Sequence, residues 1–286
     1  MAKRAKAPKG FYTASDVMRI LGIGNSTLYH YANTGKIKKV VPPDRSEGYY
    51  VKTEVDKMAH AKELFLLQYS SDSSTFRKAE EKDIRAIHNL SIEMFGSTIA
   101  PSYESRLAPY LKNPNIYYVI EQDDILVGYL GIAPIKQDVV ERIMGETEEA
   151  RSRLLTSMSE IVTPENILMF EPGEANNIYL IAVSRQGLAK SKYYGMKLIS
   201  GGYEIIKKYA QQGIVTKKLY SVSRTPDGIK LCKNLGFREV VILGNPVRRF
   251  ELDLETTTSP LLHEYKQVVK DGQTDTTLET LRSNII

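Results

Sequence analysis

The chain has a single cysteine, Cys232, in 286 residues. One thiol excludes an intramolecular disulfide and any cysteine-rich zinc site. The four histidines, His30, His60, His88 and His263, are dispersed and show no metal-ligand spacing. No apolar run approaches the roughly 18 residues that a membrane helix needs. Neither a Walker loop nor a G-x-S-x-G elbow is present. The start, MAKRAKAPKG, is basic, but no apolar segment comes after it as in a secretory signal. These absences predict a cytoplasmic protein with no metal and no membrane partner.

What is present suits a folded chain. Hydrophobic residues make up 42% and charged residues 26%, enough to bury a core. The net charge of +5 is unevenly placed. Residues 1–62 hold 12 Lys/Arg against 5 Asp/Glu, so one short end is built to meet a polyanion. For the arm of residues 1–10 a solubilising role is the open alternative.

From Phe11 the pattern is helical and short. Thr13 and Asp16 make a capping-box-like start, and Val17, Ile20 and Leu21 give one apolar face. Gly22-Ile23-Gly24 breaks that helix. Asn25 or Ser26 can cap a second one, with Leu28 and Tyr31 inward and Gly35 as its stop. Residues 36–41 then read as a basic strand, Pro42-Pro43-Asp44 as a turn and residues 45–51 as a returning strand. Thr53 and Asp56 cap a further helix. Helix, turn, helix, hairpin, helix is a winged helix-turn-helix layout.

These residues resemble the MerR/excisionase type of DNA-binding domain. The pattern stands as Tyr12-Thr13, Val17, Leu21-Gly22-Ile23, Thr27-Leu28, Tyr31, Gly35 and Gly48-Tyr49. The resemblance implies that the second helix enters the major groove of double-stranded DNA. Asn25, Ser26, Tyr29, His30 and Asn33 are its polar set. Lys36, Lys38, Lys39, Arg45 and Lys52 would hold phosphates from the wing. Such half-site readers usually dimerise. Val55, Met58, Ala59, Leu64, Phe65 and Leu66 form a stripe that can pair two chains or pack on its own domain. Residues 68–74, QYSSDSS, read as a linker between a domain over 11–67 and a second one over 75–254.

Residues 75–254 alternate strand and helix patterns. Strands are expected at 75–79, 116–121, 125–132, 178–183, 219–223, 240–243 and 247–254. Helices are expected at 80–95, 103–111, 195–209 and 226–235. Residues 137–177 read as an intervening stretch with a charged helical segment near 146–160. The order resembles the GNAT acyltransferase fold, from the opening FRKAEEKDI to KLCKNLGF near the end. The fold class is therefore α+β with two domains: a winged helix-turn-helix and a GNAT-like mixed α/β sheet.

The GNAT resemblance implies acetyl-CoA as cofactor. In that family the central strand splays from its neighbour and its main chain holds the pantetheine arm. The turn after it binds the pyrophosphate at a helix N-terminus. On this chain the resemblance places Ile181 and Val183 on that strand. It places Lys190, Ser191, Lys192, Tyr193 and Gly195 on the turn, with a tyrosine where the family's first glycine stands. A second register on Gly187-Leu188-Ala189 keeps two small residues but loses the apolar pair Leu198-Ile199.

Acetyl transfer needs a base and often an acid. The family's base position falls near Asn177, which cannot titrate, so Glu174 and Glu171 are the nearby candidates. The family's acid position is Cys232, with Tyr220 and Tyr193 as alternatives. Residues 255–286 read as a tail with one helix near 263–270. Three functions stay open: a DNA-binding regulator whose second domain binds acetyl-CoA or has become an interaction module, an active N-acetyltransferase targeted to DNA, and a mobile-element or replication-associated DNA-binding protein.

Overall fold

The Thr13 side chain accepts a hydrogen bond from the Asp16 amide at 3.2 Å, and the Asp16 carboxylate accepts one from the Thr13 amide at 3.2 Å. This reciprocal cap starts α1 (Ala14–Leu21), and Gly22 ends it. The computed structural model describes residues 7–43, 47–68, 73–173, 175–187, 190–259 and 262–272. It divides into two compact units, Met1–Leu66 and Leu67–Ile286.

In the first unit, β1 (Phe11–Tyr12) precedes α1. After it come α2 (Asn25–Asn33), β2 (Lys39–Val40), β3 (Tyr49–Val51) and α3 (Lys52–Gln68). The strands make an antiparallel sheet of order β1-β3-β2. Both strands of the expected hairpin are shorter than the sequence suggests. Two expected caps do not form. Gly24 occupies the N-cap of α2, so Asn25 is already helical and no side chain caps it. At α3, Asp56 instead accepts a bond from the Tyr12 hydroxyl at 2.9 Å and ties the helix to β1. Val17, Leu21, Leu28, Ile37, Tyr50 and Val55 form the core, with Tyr31, Met58 and Ala59 packed against it. The first half of the stripe offered for dimerisation thus serves its own unit. The side chains of Leu64, Phe65 and Leu66 lie outside the described residues.

The second unit is built on seven strands: β4 (Thr75–Lys78), β5 (Tyr117–Gln122), β6 (Ile125–Ile135), β7 (Ala175–Ser184), β8 (Val215–Ser223), β9 (Arg238–Val240) and β10 (Arg248–Asp253). Their order across the sheet is β4-β5-β6-β7-β8-β10-β9. Every neighbouring pair is antiparallel except β7 and β8, which run parallel. β7 starts three residues before the expected Ile178, and β9 lies ahead of the expected 240–243.

Side chains alternate across a strand, so each strand feeds two layers. Leu130, Leu180 and Leu219 face α9 (Ser191–Gln211). There a Cβ on Gly201 would run into the Phe76 ring, so glycine lets the helix lie close to β4. Tyr129, Tyr179 and Tyr220 face the other layer, which holds α4 (Asp83–Phe95) and α5 (Tyr103–Lys112).

The stretch 137–177 belongs to that layer. It forms α6 (Gln137–Met144), α7 (Glu148–Ser152) and α8 (Met158–Ile161) rather than one charged helix. Val139, Val140, Ile143, Met144 and Ile161 join the main core with Ile84, Ile87 and Leu90. A surface addition would not do this. The segment is a wall of the unit. Arg249, fully buried, fastens it, with Nε donating to the Ile143 carbonyl at 2.6 Å and a terminal nitrogen to the Val247 carbonyl at 2.7 Å.

After α10 (Pro226–Asn234), β9 and β10, a further helix covers 263–272, close to the expected position. Residues 273–286 lie outside the described residues.

Candidate functional sites

β7 and β8 stay paired from Ala175 opposite Val215 to Tyr179 opposite Tyr220. Beyond that rung β7 runs on to Ser184 and β8 to Ser223 without pairing to each other. β6 accompanies β7 all the way to Ser184. The two strands therefore open a gap inside the sheet. One side chain spans its start: Ser221 Oγ donates to the Leu180 carbonyl at 3.1 Å.

Alternation decides which main-chain groups meet the gap. Leu180 faces it, so Ala182 and Ser184 do as well. Ile181 and Val183 turn their main chain toward β6, as does Arg185, whose amide bonds to the Val127 carbonyl at 2.8 Å. Ile181 and Val183, chosen from sequence, therefore lie on this strand with their main chain away from the gap. Pattern alone cannot say which side of a buried strand stays open.

The chain then turns into α9, whose N-cap is Lys190. Ser191, Lys192, Tyr193 and Gly195 all lie in the first turns of the helix. Lys190 is exposed, and the Lys192 side chain lies outside the described residues. The half-buried Tyr193 ring meets Tyr194 edge-on at 5.8 Å, and the Lys197 ammonium lies 5.8 Å from its centroid. Lys197 is held in turn by the Ser74 carbonyl at 2.6 Å and hydroxyl at 2.8 Å. The glycine that the turn demands is Gly187, with φ at +77°. A Cβ on Gly195 would meet Ser184 Oγ at an ordinary 3.5 Å. Leu188 and Ala189 lie outside the described residues. On the α9 side of the sheet a small apolar cleft is lined by Leu180, Leu219, Ile199, Tyr203, Leu235 and Phe237 among others.

The acid and base candidates separate. Tyr220 stands on the last paired rung and is buried in the core. Burial first, then Glu251, Glu146 and Asp253, push its hydroxyl well above the ordinary tyrosine range. Burial pushes the Cys232 thiol up to about 12, against a smaller opposing effect of its bond with Ser221. Both groups keep their protons near neutral pH, and neither is a ready nucleophile. Asn177 is held by Gln137 at 3.0 Å, and Glu171 is exposed. Glu174 lies outside the described residues. The structure thus brings Ser221, Leu180 and Cys232 together at the gap. Ser221 carried no signal in the sequence beyond its place on a strand.

In the first unit, Asn25, Ser26, Tyr29, His30 and Asn33 are all exposed. Their spacing puts them on one face of α2, opposite the buried Leu28. Tyr29 is 57% exposed, and the Lys39 ammonium lies 5.3 Å from its ring centroid. Lys36 and Lys38 are exposed, with the Lys36 ammonium 5.3 Å from the Tyr31 ring. Lys52, at the start of α3, is exposed and lies 5.0 Å from the Tyr12 ring. Arg45 lies outside the described residues. Among the described residues no cluster of metal-binding side chains occurs, and no helix is long and apolar enough to cross a membrane.

No family model matches the sequence, and no curated protein matches it. Solved structures do show a likeness. One is yncA from Salmonella typhimurium with its cofactor acetyl-CoA, at 15% identity and a TM-score of 0.41, over 66% of this chain and 98% of that one. Another is Ard1 from Thermoplasma volcanium, at 11% identity and a TM-score of 0.40, over 63% of this chain and 95% of that one. A third is N-acetylglutamate synthase from Neisseria gonorrhoeae complexed with coenzyme A and N-acetyl-glutamate. It is 16% identical with a TM-score of 0.39, over 64% of this chain and 36% of that one.

Proposed function

We propose that this chain is a sequence-specific DNA-binding protein whose second unit binds acetyl-CoA in the manner of a GNAT domain. The observation that carries the cofactor half is the opening of β7 from β8 after Tyr179 and Tyr220, just ahead of the 21-residue helix α9. The gap is where a pantetheine arm would lie. Main-chain groups of Leu180 and Ala182 face it to bond the arm's amides, and apolar side chains line the cleft beside it. The N-terminus of α9 suits a pyrophosphate, because helix starts leave backbone donors and carry the positive end of the dipole. Bound acetyl-CoA supplies an activated acetyl thioester. This chain's residues shape the arm's channel, and Tyr220 and Cys232 hold protons beside it at neutral pH.

The DNA half rests on the exposed face of α2 and the lysines around it. Asn25 suits an adenine edge, and Lys36, Lys38 and Lys52 suit phosphates. A winged helix-turn-helix with this face out would read a major groove.

Each half has its own test. Titration calorimetry with acetyl-CoA should give a saturable heat, and none at millimolar ligand removes the cofactor half. Selection from random duplexes and then gel shifts across a salt series test the DNA half. Retention should fall steeply with salt. Asn25→Ala should alter sequence preference, while Lys38→Ala should weaken all sites alike and lower the salt slope by about 1. A flat salt response contradicts this half.

A further inference from the structure

The helix α2, NSTLYHYAN, holds no lysine or arginine. Asn25, Ser26 and Asn33 are the short hydrogen-bonding side chains of its exposed face. Tyr29 stands among them, three or four residues from each, so all four share one surface of the helix. Its ring is 57% exposed, more than any other large apolar side chain described in this unit. A ring so exposed serves no core, and its place in the middle of a polar face calls for a reason.

The hairpin beside α2 holds this ring in place. Lys39 stands opposite Tyr50 in the pairing of β2 with β3, so the two side chains share one face of the hairpin. Tyr50 lies in one core with Leu28 of α2, so that face is turned toward the helix. Gly48, two residues before Tyr50, is on the same face. Its backbone is not left-handed, so no turn demands a glycine there. Lys39 does: a Cβ on Gly48 would stand 2.6 Å from Lys39 Cε and 2.8 Å from Cγ. The lysine stem lies across the hairpin at this point, and its ammonium comes to 5.3 Å from the Tyr29 ring centroid. Lys36 and Lys38 are exposed, whereas Lys39 is half-buried. The three lysines thus have different tasks.

We propose that Tyr29 is a specificity residue of this face, with its ring packed on the C5-methyl of a thymine, and that Lys39, seated over Gly48, positions the ring. The inference rests on the DNA half of the proposed function. Base pairs present donors, acceptors and one apolar group in the major groove, and that group is the thymine methyl. Asn25, Ser26 and Asn33 suit the donors and acceptors. The Tyr29 ring supplies the apolar surface that they lack. A cation over the ring limits its rotamers before binding, so less freedom is lost on contact. With Asn25 on an adenine edge, the face suits a site containing A·T pairs.

The test uses the full chain and a duplex obtained by selection. Each thymine is replaced in turn by uracil, which removes the methyl and keeps every hydrogen-bonding group. At least one replacement should weaken binding about 4-fold, the worth of one buried methyl. Tyr29→Ser should lose that dependence, so that it binds the thymine and uracil duplexes alike. Tyr29→Phe should show the dependence whatever its overall affinity, because the ring makes the contact. Lys39→Met and Gly48→Ala should each reduce it in proteins that stay folded by circular dichroism, and Lys39→Arg should retain it. Uracil without effect at every position overturns the proposal. So does a penalty that persists in Tyr29→Ser, or one lost in Tyr29→Phe, which would assign the hydroxyl to a phosphate. A dependence unchanged by both Lys39→Met and Gly48→Ala overturns the positioning role. If selection retains no duplex at all, the DNA half falls and this inference falls with it.

Discussion

The two units place their candidate chemistry in opposite ways. In the first, Asn25, Ser26, Tyr29, His30 and Asn33 stand in solvent on one helix face, above a core of six buried apolar residues. In the second, Tyr220 and Cys232 are both buried. The first unit thus keeps its candidate face apart from its core, and the second holds its candidate groups inside the core. A surface change in the first unit should therefore cost little stability. In the second, most changes near a site should also be felt as stability.

The largest expected effect lies in the second unit. Gly201→Leu places a side chain against the Phe76 ring, where α9 crosses β4, and should cost about 3 kcal/mol or more. Calorimetric unfolding measures it. Unchanged stability breaks the claim that α9 is held by close approach. Leu28→Ala should come close behind, at about 3 kcal/mol, through the cavity it leaves in the smaller core. The same helix carries the exposed polar face, so Asn33→Ala beside it should be nearly neutral in a urea melt. An equal cost for both would erase the division between the two faces of α2.

Asp83 gives a smaller, pH-dependent effect. Burial alone pushes its carboxyl up, but the bidentate Arg77 guanidinium, at 2.6 and 3.0 Å, and the Glu80 amide outweigh burial and hold it below the ordinary range. A carboxyl with a depressed folded value contributes stability above its unfolded pKa, about 3.9, and loses it as pH falls through the folded value. Asp83→Asn should therefore cost about 2 kcal/mol at neutral pH and progressively less in acid. A cost independent of pH would assign Asp83 a packing role instead. Thr13→Ala is the smallest, at about 1 kcal/mol through the lost cap of α1, measured by thermal melts.

The same contrast governs what the sequence made legible. Thr13 with Asp16 and the glycines after Leu21 announce α1 because capping is local chemistry. The exposed face of α2 is set by its period. The start of α2 escaped prediction because Gly24 caps through its backbone alone, without the side chain that Asn25 and Ser26 suggested. In the second unit the succession of strands and helices is readable, and so is the placement of α9 by its apolar stripe. α6 was not, because Val139, Val140, Ile143 and Met144 make too short a stripe among charges. The phase of β7 was not readable either, since side chains report the two faces of a strand and not the edge to which each main-chain group turns. Arg106 shares an inward face with Pro109 and Tyr110, three and four residues on. An arginine on an apolar stripe is buried here because Ser91 and Tyr129, which the fold brings from two other elements, accept from it.

The helix over 263–272 bears on where this sheet ends. The Tyr265 hydroxyl accepts from the Thr216 amide at 2.9 Å and donates to the Thr216 carbonyl at 2.7 Å. Thr216 is 2% exposed and sits beside the register shift between β7 and β8. A phenol here serves both main-chain groups of one residue, as an adjoining strand would. A chain cut before this helix would uncover both groups where no strand pairs with them and leave water as their partner. What reads in sequence as a trailing segment is, at this one residue, the substitute for a strand that the sheet does not have.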